Sequence, residues 1–147
     1  MEIITKQTEN KPLTVTVEYP VLDAQAREII GKIRTLGITV PGNRDGKTYS
    51  VAAGDIYYIE VVERRTFLYT KEAVYAADRK LYELEELLKG SGILRISKFC
   101  LMNLHHLYSI RQLRNSQLEA TLDNEEKLIV ARTYLKSIKT MLKEERT

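Results

Sequence analysis

Between Thr48 and Ala131 the chain is a succession of short β-type runs, interrupted by one clear helical stripe. Residues 48–53, 55–62 (DIYYIEVV), 66–70 (TFLYT) and 72–77 are rich in Tyr, Val, Ile and Thr, which suit a pleated, half-buried surface. Residues 93–97, 107–113, 117–122 and 127–131 are strand candidates of the same kind. The stripe between the two groups is a helix over 79–89, with Asp78 as N-cap and Leu81, Leu84, Leu87 and Leu88 on its buried face. Gly90 and Gly92 end it. Residues 100–106 read as a short helical turn. Asn124-Glu125 falls where a tight hairpin turn is needed; Asn tolerates a positive φ and Glu does so poorly.

The region before Thr48 is organised differently. Residues 13–19, LTVTVEY, alternate strictly, which predicts a half-buried strand ended by Pro20. The period then changes. Leu22, Ala26, Ile29, Ile30, Ile33 and Leu36 fall at helical spacings, with Asp23 in the first turn and Gly37 as C-cap. A β-α unit therefore occupies the first forty residues. Residues 41–47, PGNRDGK, are the strongest punctuation in the chain and predict a loop or linker there. The expected division is an N-terminal extension over 1–46 and a second unit over 47–147.

A chain of 147 residues is enough for one ordinary domain with a good core. No apolar run approaches the roughly 20 residues of a membrane span. The opening MEIITKQTENK lacks the basic-then-apolar order of a secretory signal. A single cysteine, Cys100, cannot form an internal disulfide and suits a reducing cytoplasm. Net charge is only +3, so the distribution of charge says more than its sum. Beyond residue 126, Lys127, Arg132, Lys136, Lys139, Lys143 and Arg146 face only Glu144 and Glu145. At about 100° per residue, Arg132, Lys136, Lys139 and Lys143 fall at roughly 0°, 40°, −20° and 20°. They share one stripe, while Tyr134, Leu135, Ile138, Met141 and Leu142 lie between roughly 180° and 300°. The last helix thus buries one side and shows an uninterrupted row of cations on the other.

Catalytic signatures are missing from the sequence: there is no GxSxG, no HExxH and no phosphate-cradling glycine loop. Gly90-Ser91-Gly92 follows a helix rather than opening one. Cys100, among Phe99, Leu101 and Met102, reads as a buried inert thiol. His105 and His106 are adjacent and diverge on any regular element, so no metal site is expected. Glu83, Glu85 and Glu86 read as the solvated face of a helix. Nothing points to an enzyme or a cofactor.

Three basic points remain. They are the cation row on the last helix, Arg64-Arg65-Thr66 between two strand candidates, and RISK at the end of strand 93–97. Each alone is an ordinary solvated feature. All three sit at the ends of elements, where binding groups are placed, and cations there suit phosphate contacts.

The order DIYYIE, a tyrosine- and threonine-rich hairpin, LYELEELL, RISKFCLMNL and LDNEEKLIVARTYLKSIKTML resembles the LytTR-type DNA-binding domain of bacterial transcription regulators, from about Thr48 to Leu142. The family shows "IxYIE", "LxELExxL", "FxRIxKSxxVNL" and "LxNGExLxVSRxYxxxLK" in that order. The resemblance implies a mainly β fold with short helices (α+β), built of small antiparallel sheets. It implies that double-stranded DNA is read by loops entering successive major grooves. By position it puts Arg64, Arg65 and Thr66, then Arg95, Ser97 and Lys98, then Arg132 and Thr133 at the DNA, with Lys136 and Lys139 on phosphates. Phe99 and Leu101 would anchor the RISK loop in the core, and Asn103 would be a structural hydrogen-bonder. This chain departs at three places: Phe99 stands for the family's small Ser, Glu125 for the Gly of "NGE", and Ala131 for the Ser of "SR".

About 46 residues precede the motifs, too few for a receiver domain, so the chain looks like a stand-alone, cytoplasmic regulator. Resemblance suggests control by an inhibitory membrane protein encoded alongside. The strand and helix of residues 13–36 cannot bury themselves alone, which suggests a homodimer. The alternative is a protein-interaction module with weak or lost DNA binding. A small-molecule-binding β domain finds no polar constellation to support it.

Overall fold

The structure is a computed structural model, and it describes residues 1–146, with side chains described as far as Leu142. Helix α1 (Ala24–Thr35) is followed by ten strands. These are β1 (Thr39–Arg44), β2 (Lys47–Ala52), β3 (Ile56–Val62), β4 (Arg65–Thr70) and β5 (Val74–Ala77), then, after helix α2 (Leu81–Leu87), β6 (Ile93–Ser97), β7 (Cys100–Asn103), β8 (Leu107–Gln112), β9 (Leu118–Leu122) and β10 (Lys127–Val130). Helix α3 (Leu135–Arg146) closes the chain.

The strands form a seven-stranded sheet, β2-β1-β5-β4-β3-β7-β6, and a three-stranded sheet, β10-β9-β8. Every pairing is antiparallel. The mainly β, short-helix architecture is the one expected. Strand β3 lies inside the large sheet and is buried on both faces over Ile56–Ile59. On one face Ile56, Ile59, Leu68 and Leu101 pack with Val40, Val51 and the α2 residues Leu81, Leu84 and Leu88. On the other face Tyr58, Ile96 and Met102 pack with Leu118, Ala120, Leu122 and Val130 of the small sheet and Ile138 of α3. The molecule is therefore layered: α2, large sheet, small sheet with α3.

Several expectations are corrected. Residues 13–19 are not a strand: they have no regular structure, and Leu13 is 99% and Val15 59% exposed. Alternation supplies a face but no hydrogen-bonding edge, and within one chain no strand pairs with this segment. Residues 41–47 are not a loop. Pro41–Arg44 belong to β1, which pairs with β2 around an Asp45-Gly46 turn with φ of 51° and 75°. Gly42 is there for close packing, because a Cβ on it would meet the Tyr75 Cβ at 2.7 Å. Pro41 is tolerated because β1 meets β5 in register at Asn43↔Ala76 alone.

Helix α2 is shorter than 79–89, and Asp78 does not cap it. The Asp78 carboxylate accepts a hydrogen bond from Asn43 Nδ2 at 3.1 Å, and Glu83 Oε1 accepts from the Lys80 N–H instead. Leu87 is 39% exposed, outside the buried stripe. Residues 100–106 are half strand: β7 takes Cys100–Asn103, and only Leu104–His106 form a tight helical turn. A short buried run such as Cys100–Met102 reads alike as helix or central strand until its neighbours are known. Helix α1 forms within the expected span, but Asp23 is its N-cap, with Oδ1 accepting from the Ala26 N–H at 2.9 Å, and Leu36 is its exposed C-cap rather than a member of the packed stripe. The helix packs on the β unit, where a Cβ on Gly31 would come within 2.9 Å of the His105 ring and one on Gly54 within 2.9 Å of Thr35 Oγ1.

Candidate nucleic-acid interface

The sheet registers bring the three basic points to one end of the large sheet. Residues Asn43, Ala76, Phe67, Glu60, Cys100 and Ser97 face one another in a row across six strands. Beyond that row, on the same side, lie the β3–β4 turn and the β6–β7 turn. The Val61 N–H donates to Phe99 O at 2.9 Å and joins the two turns. The Ala131 N–H donates to Ile96 O at 2.8 Å and brings the start of the last helical segment to the same corner.

Glu63 and Arg64 make the β3–β4 turn, between the paired Val62 and Arg65. Their φ angles are 51° and 66°. This is the two-residue hairpin geometry that suits Asn-Gly, and two long charged side chains occupy it at a cost of order 1 kcal/mol each. Arg64 is exposed at the tip. Arg65 is exposed as well, its guanidinium 5.2 Å from the centre of the Phe67 ring. Thr66 is buried, 6% exposed, opposite Ala77 and Val61. Its side chain is not offered to a ligand.

The RISK segment divides by direction. Arg95 is turned inward, its side chain 16% exposed. It grips Glu85 of α2 with two nitrogens, at 3.1 and 3.4 Å, and donates to Lys98 O at 2.7 Å. Arg95 is thus a brace that fixes the β6–β7 turn against α2. Ser97 Oγ accepts from the Phe99 N–H at 3.4 Å. Lys98 is exposed, with Nζ 5.4 Å from the Phe99 ring. Phe99 does not anchor the loop in the core, as it is 53% exposed; Leu101, fully buried, does that. A strand two-periodicity places alternate residues on opposite faces, and the turn at 98–99 leaves Phe99 outside.

Arg132 and Thr133 stand exposed in a tight helical turn that runs into α3. Ala131 provides no side-chain cap. Ile138 is 1% exposed, and Tyr134, Leu135, Met141 and Leu142 pack on the core, while Arg132, Lys136 and Lys139 face out. Arg132, Leu135, Lys136, Lys139 and Thr140 line a shallow open depression. The side chain of Lys143, the fourth member of the row, lies outside the described residues.

Glu85 is the participant that the sequence did not reveal. It reads as solvated on the helix stripe, and only the packing of α2 beside β6 gives it the Arg95 guanidinium. Asn103 is structural, as expected: Nδ2 donates to Ile56 O at 2.9 Å and Oδ1 accepts from the His105 N–H at 3.0 Å. Cys100 is buried, and burial pushes its thiol up to about 12. His106 stacks on Tyr57 with ring centres 4.0 Å apart, with Nε2 2.8 Å from Gly54 O and Nδ1 3.2 Å from Asp123 Oδ2. Among the described residues no three metal-binding side chains gather, and no helix is long and apolar enough to cross a membrane.

A family model described as the LytTr DNA-binding domain matches residues 46–143. The chain is 27% identical over 103 residues to the sensory transduction protein LytT of Enterococcus faecalis, covering 70% of this chain and 43% of that protein. It is 27% identical over 89 residues to LytT of Bacillus anthracis, covering 60% of this chain and 36% of the relative. It therefore spans less than half the length of these relatives. The fold matches a solved LytTr DNA-binding domain of a Bacillus cereus methyl-accepting/DNA response regulator with a TM-score of 0.67 and 21% identity, over 72% of this chain and 98% of the other. The chain belongs to the LytTr DNA-binding domain family.

Proposed function

We propose that this protein regulates transcription by reading double-stranded DNA with the turns at one end of its large sheet. The carrying observation is the convergence of the Glu63–Arg64 turn, the Lys98–Phe99 turn and the Arg132 segment, tied together by backbone hydrogen bonds to Phe99 O and Ile96 O. Arg64, Arg65, Lys98 and Arg132 project from a corner tied by backbone hydrogen bonds, so binding has side chains to order but not backbone. Arg132 follows a strand that is pinned to β6, and its planar fork suits a guanine edge in the major groove. Ser97 and Thr133 supply hydroxyls beside it. Lys136 and Lys139 hold phosphates along the first turns of α3. Arg95 acts through the turn it braces, and Thr66 through the fold.

The exposed alternating segment 13–19 and the half-buried Ile29, Ile30 and Ile33 support a second role for residues 1–46, pairing with another copy of this chain. Leu13→Lys with Val15→Lys is then expected to halve the mass measured by light scattering. An unchanged mass sinks the pairing. An inhibitory membrane protein remains part of the proposal as the source of control, in keeping with the family.

Binding is tested by anisotropy titration of a duplex from the protein's own upstream region beside a scrambled duplex. Wild type is expected to prefer its own region. Arg132→Ala is expected to lose about 1–3 kcal/mol of that preference. If wild type binds both duplexes equally at low salt, sequence-specific reading is wrong.

A further inference from the structure

An edge and a strand are both left over in this molecule. Strand β8 ends the small sheet and pairs on one side alone, with β9. Five of its six residues are exposed, all but Leu107. Among the described residues no strand meets its free side, a row of backbone donors and acceptors of the kind that sheets ordinarily cover or blunt. The apolar pattern runs out to this edge uncovered. Ile110 stands opposite Ala120, which stands opposite Leu128. Ala120 and Leu128 are buried, while Ile110 is 47% exposed and Tyr108 beside it is exposed as well. The core face of the small sheet therefore ends in an open apolar step. The other face of β8 carries Arg111, opposite Glu119.

The left-over strand is residues 13–18. Leu13, Val15 and Val17 share one face and Thr14, Thr16 and Glu18 the other, a period of two with no ladder to use it. Laid along β8 with its apolar face beside Ile110, this segment continues the core face by one strand. It then puts its one carboxylate, Glu18, on the face that carries Arg111. The other edges fit less well. Strands β6 and β10 are joined to each other through the Ala131 N–H and Ile96 O. On β2, Tyr49 already packs edge-on against Tyr75, with ring centres 5.4 Å apart. Helix α1 also favours β8. Thr35, at its end, lies against Gly54, which follows β2; Gly31, nearer its start, lies against His105, which leads into β8. The segment leaves α1 from the start, at Asp23, so it departs nearer to β8 than to β2.

We propose that residues 13–18 of one copy add as a strand to the free edge of β8 in a second copy, and that the exchange is reciprocal. This rests on the pairing proposed above for residues 1–46 and names the surface that receives it. Main-chain hydrogen bonds hold such an added strand, and its alternation sets which face turns inward. A two-fold exchange leaves neither β8 edge open to a third copy.

Light scattering on full-length variants tests it. Leu13→Lys with Val15→Lys alters the segment, Tyr108→Lys with Ile110→Lys the β8 edge, and Tyr49→Lys the β2 edge. Far-UV circular dichroism first checks each for the wild-type fold, and Ile110→Gln alone replaces the β8 pair if that pair loses it. Wild type and Tyr49→Lys are expected at twice the chain mass, and the segment and β8 variants at the chain mass. An equimolar mixture of those two variants should recover twice the chain mass, because the intact segment of one copy meets the intact edge of the other. A monomeric wild type, or a segment variant that stays dimeric, overturns the pairing of residues 1–46 and this inference with it. A β8 variant that stays dimeric, a Tyr49→Lys protein that turns monomeric, or a mixture that stays monomeric overturns the β8 edge alone and leaves the pairing standing.

Discussion

The two ends of the large sheet are built to opposite rules. At the far end the polar groups are spent on each other: Asn103 on Ile56 O and the His105 N–H, and His106 on Gly54 O and Asp123. At the loop end Arg95 alone among the loop cations is held by an ion pair among the described residues, Arg65 and Lys98 meet only the rings of Phe67 and Phe99, and two residues of the β3–β4 turn sit in left-handed backbone without glycine. The far end has the economy of a structural core, where Asn103 and His106 are held on both sides by protein partners. The loop end keeps strain and unpaired cations, the signature of a surface shaped for something outside. The same antiparallel sheet carries both because its registers send alternate turns to opposite ends.

This contrast is open to breaking, and the largest effect should come from the far end. Gly92 has a φ of 92°, and a Cβ there would strike the His105 ring. Gly92→Ala is expected to cost about 3 kcal/mol, combining left-handed strain with overpacking. Urea denaturation measures it, and a cost below about 1 kcal/mol would mean that the far end yields. Asn103→Ala should cost roughly 2–3 kcal/mol, because it orphans a buried carbonyl and a part-buried N–H. Neither is expected to change DNA preference once folded protein is compared.

Arg95→Lys probes the other end. The bidentate grip on Glu85 is lost, and only part of the pair energy is recovered because Glu85 is half-exposed. Stability should fall by about 1 kcal/mol or less, while DNA affinity falls several-fold through a loosened Lys98 turn. Full affinity with Lys at 95 would show that the turn needs no brace. The pair Glu63→Asn with Arg64→Gly should do the reverse: raise stability by roughly 1 kcal/mol by relieving the turn, and weaken DNA binding by removing Arg64.

Smaller effects are expected at the two remaining departures from the family pattern. Glu125 has a φ of 72°, in the position where the family has glycine. Glu125→Gly should add about 0.5–1 kcal/mol, and Ala131→Ser about 0.5 kcal/mol by capping the Arg132 turn. A pH titration completes the series. Burial first, then the hydrogen bond to Asp123, pushes Tyr57 up from 10.0 to about 12, and burial pushes Cys100 from 9.0 to about 12. Both folded values lie above the unfolded ones. Their contribution is therefore complete below pH 9, and is lost as pH rises toward about 12. Thermal melts from pH 8 to 11 that stay flat would refute this, as would rapid thiol labelling of Cys100 in the native protein at pH 8.

The residues alone determined that the stretch from Thr48 to Ala131 is mainly short strands, that a helix lies within 22–36, and that the last helix divides into an apolar side and a row of cations. These are properties of period and local capping, and a segment carries them wherever it is. The motif order likewise placed the loops that carry Arg64, Lys98 and Arg132. The direction of a side chain was another matter. Thr66 and Arg95 read as surface residues and turned inward, Phe99 read as core and turned out, and Glu85 read as solvent-facing and became a partner of Arg95. LTVTVEY read as a strand and found no edge, while PGNRDGK read as a loop and became a hairpin. Each of these depended on a partner distant in sequence: α2 beside β6, Tyr75 beside Gly42, Ala77 opposite Thr66. A sequence states what each segment can present, and only the assembled sheets decide which neighbour is there to receive it.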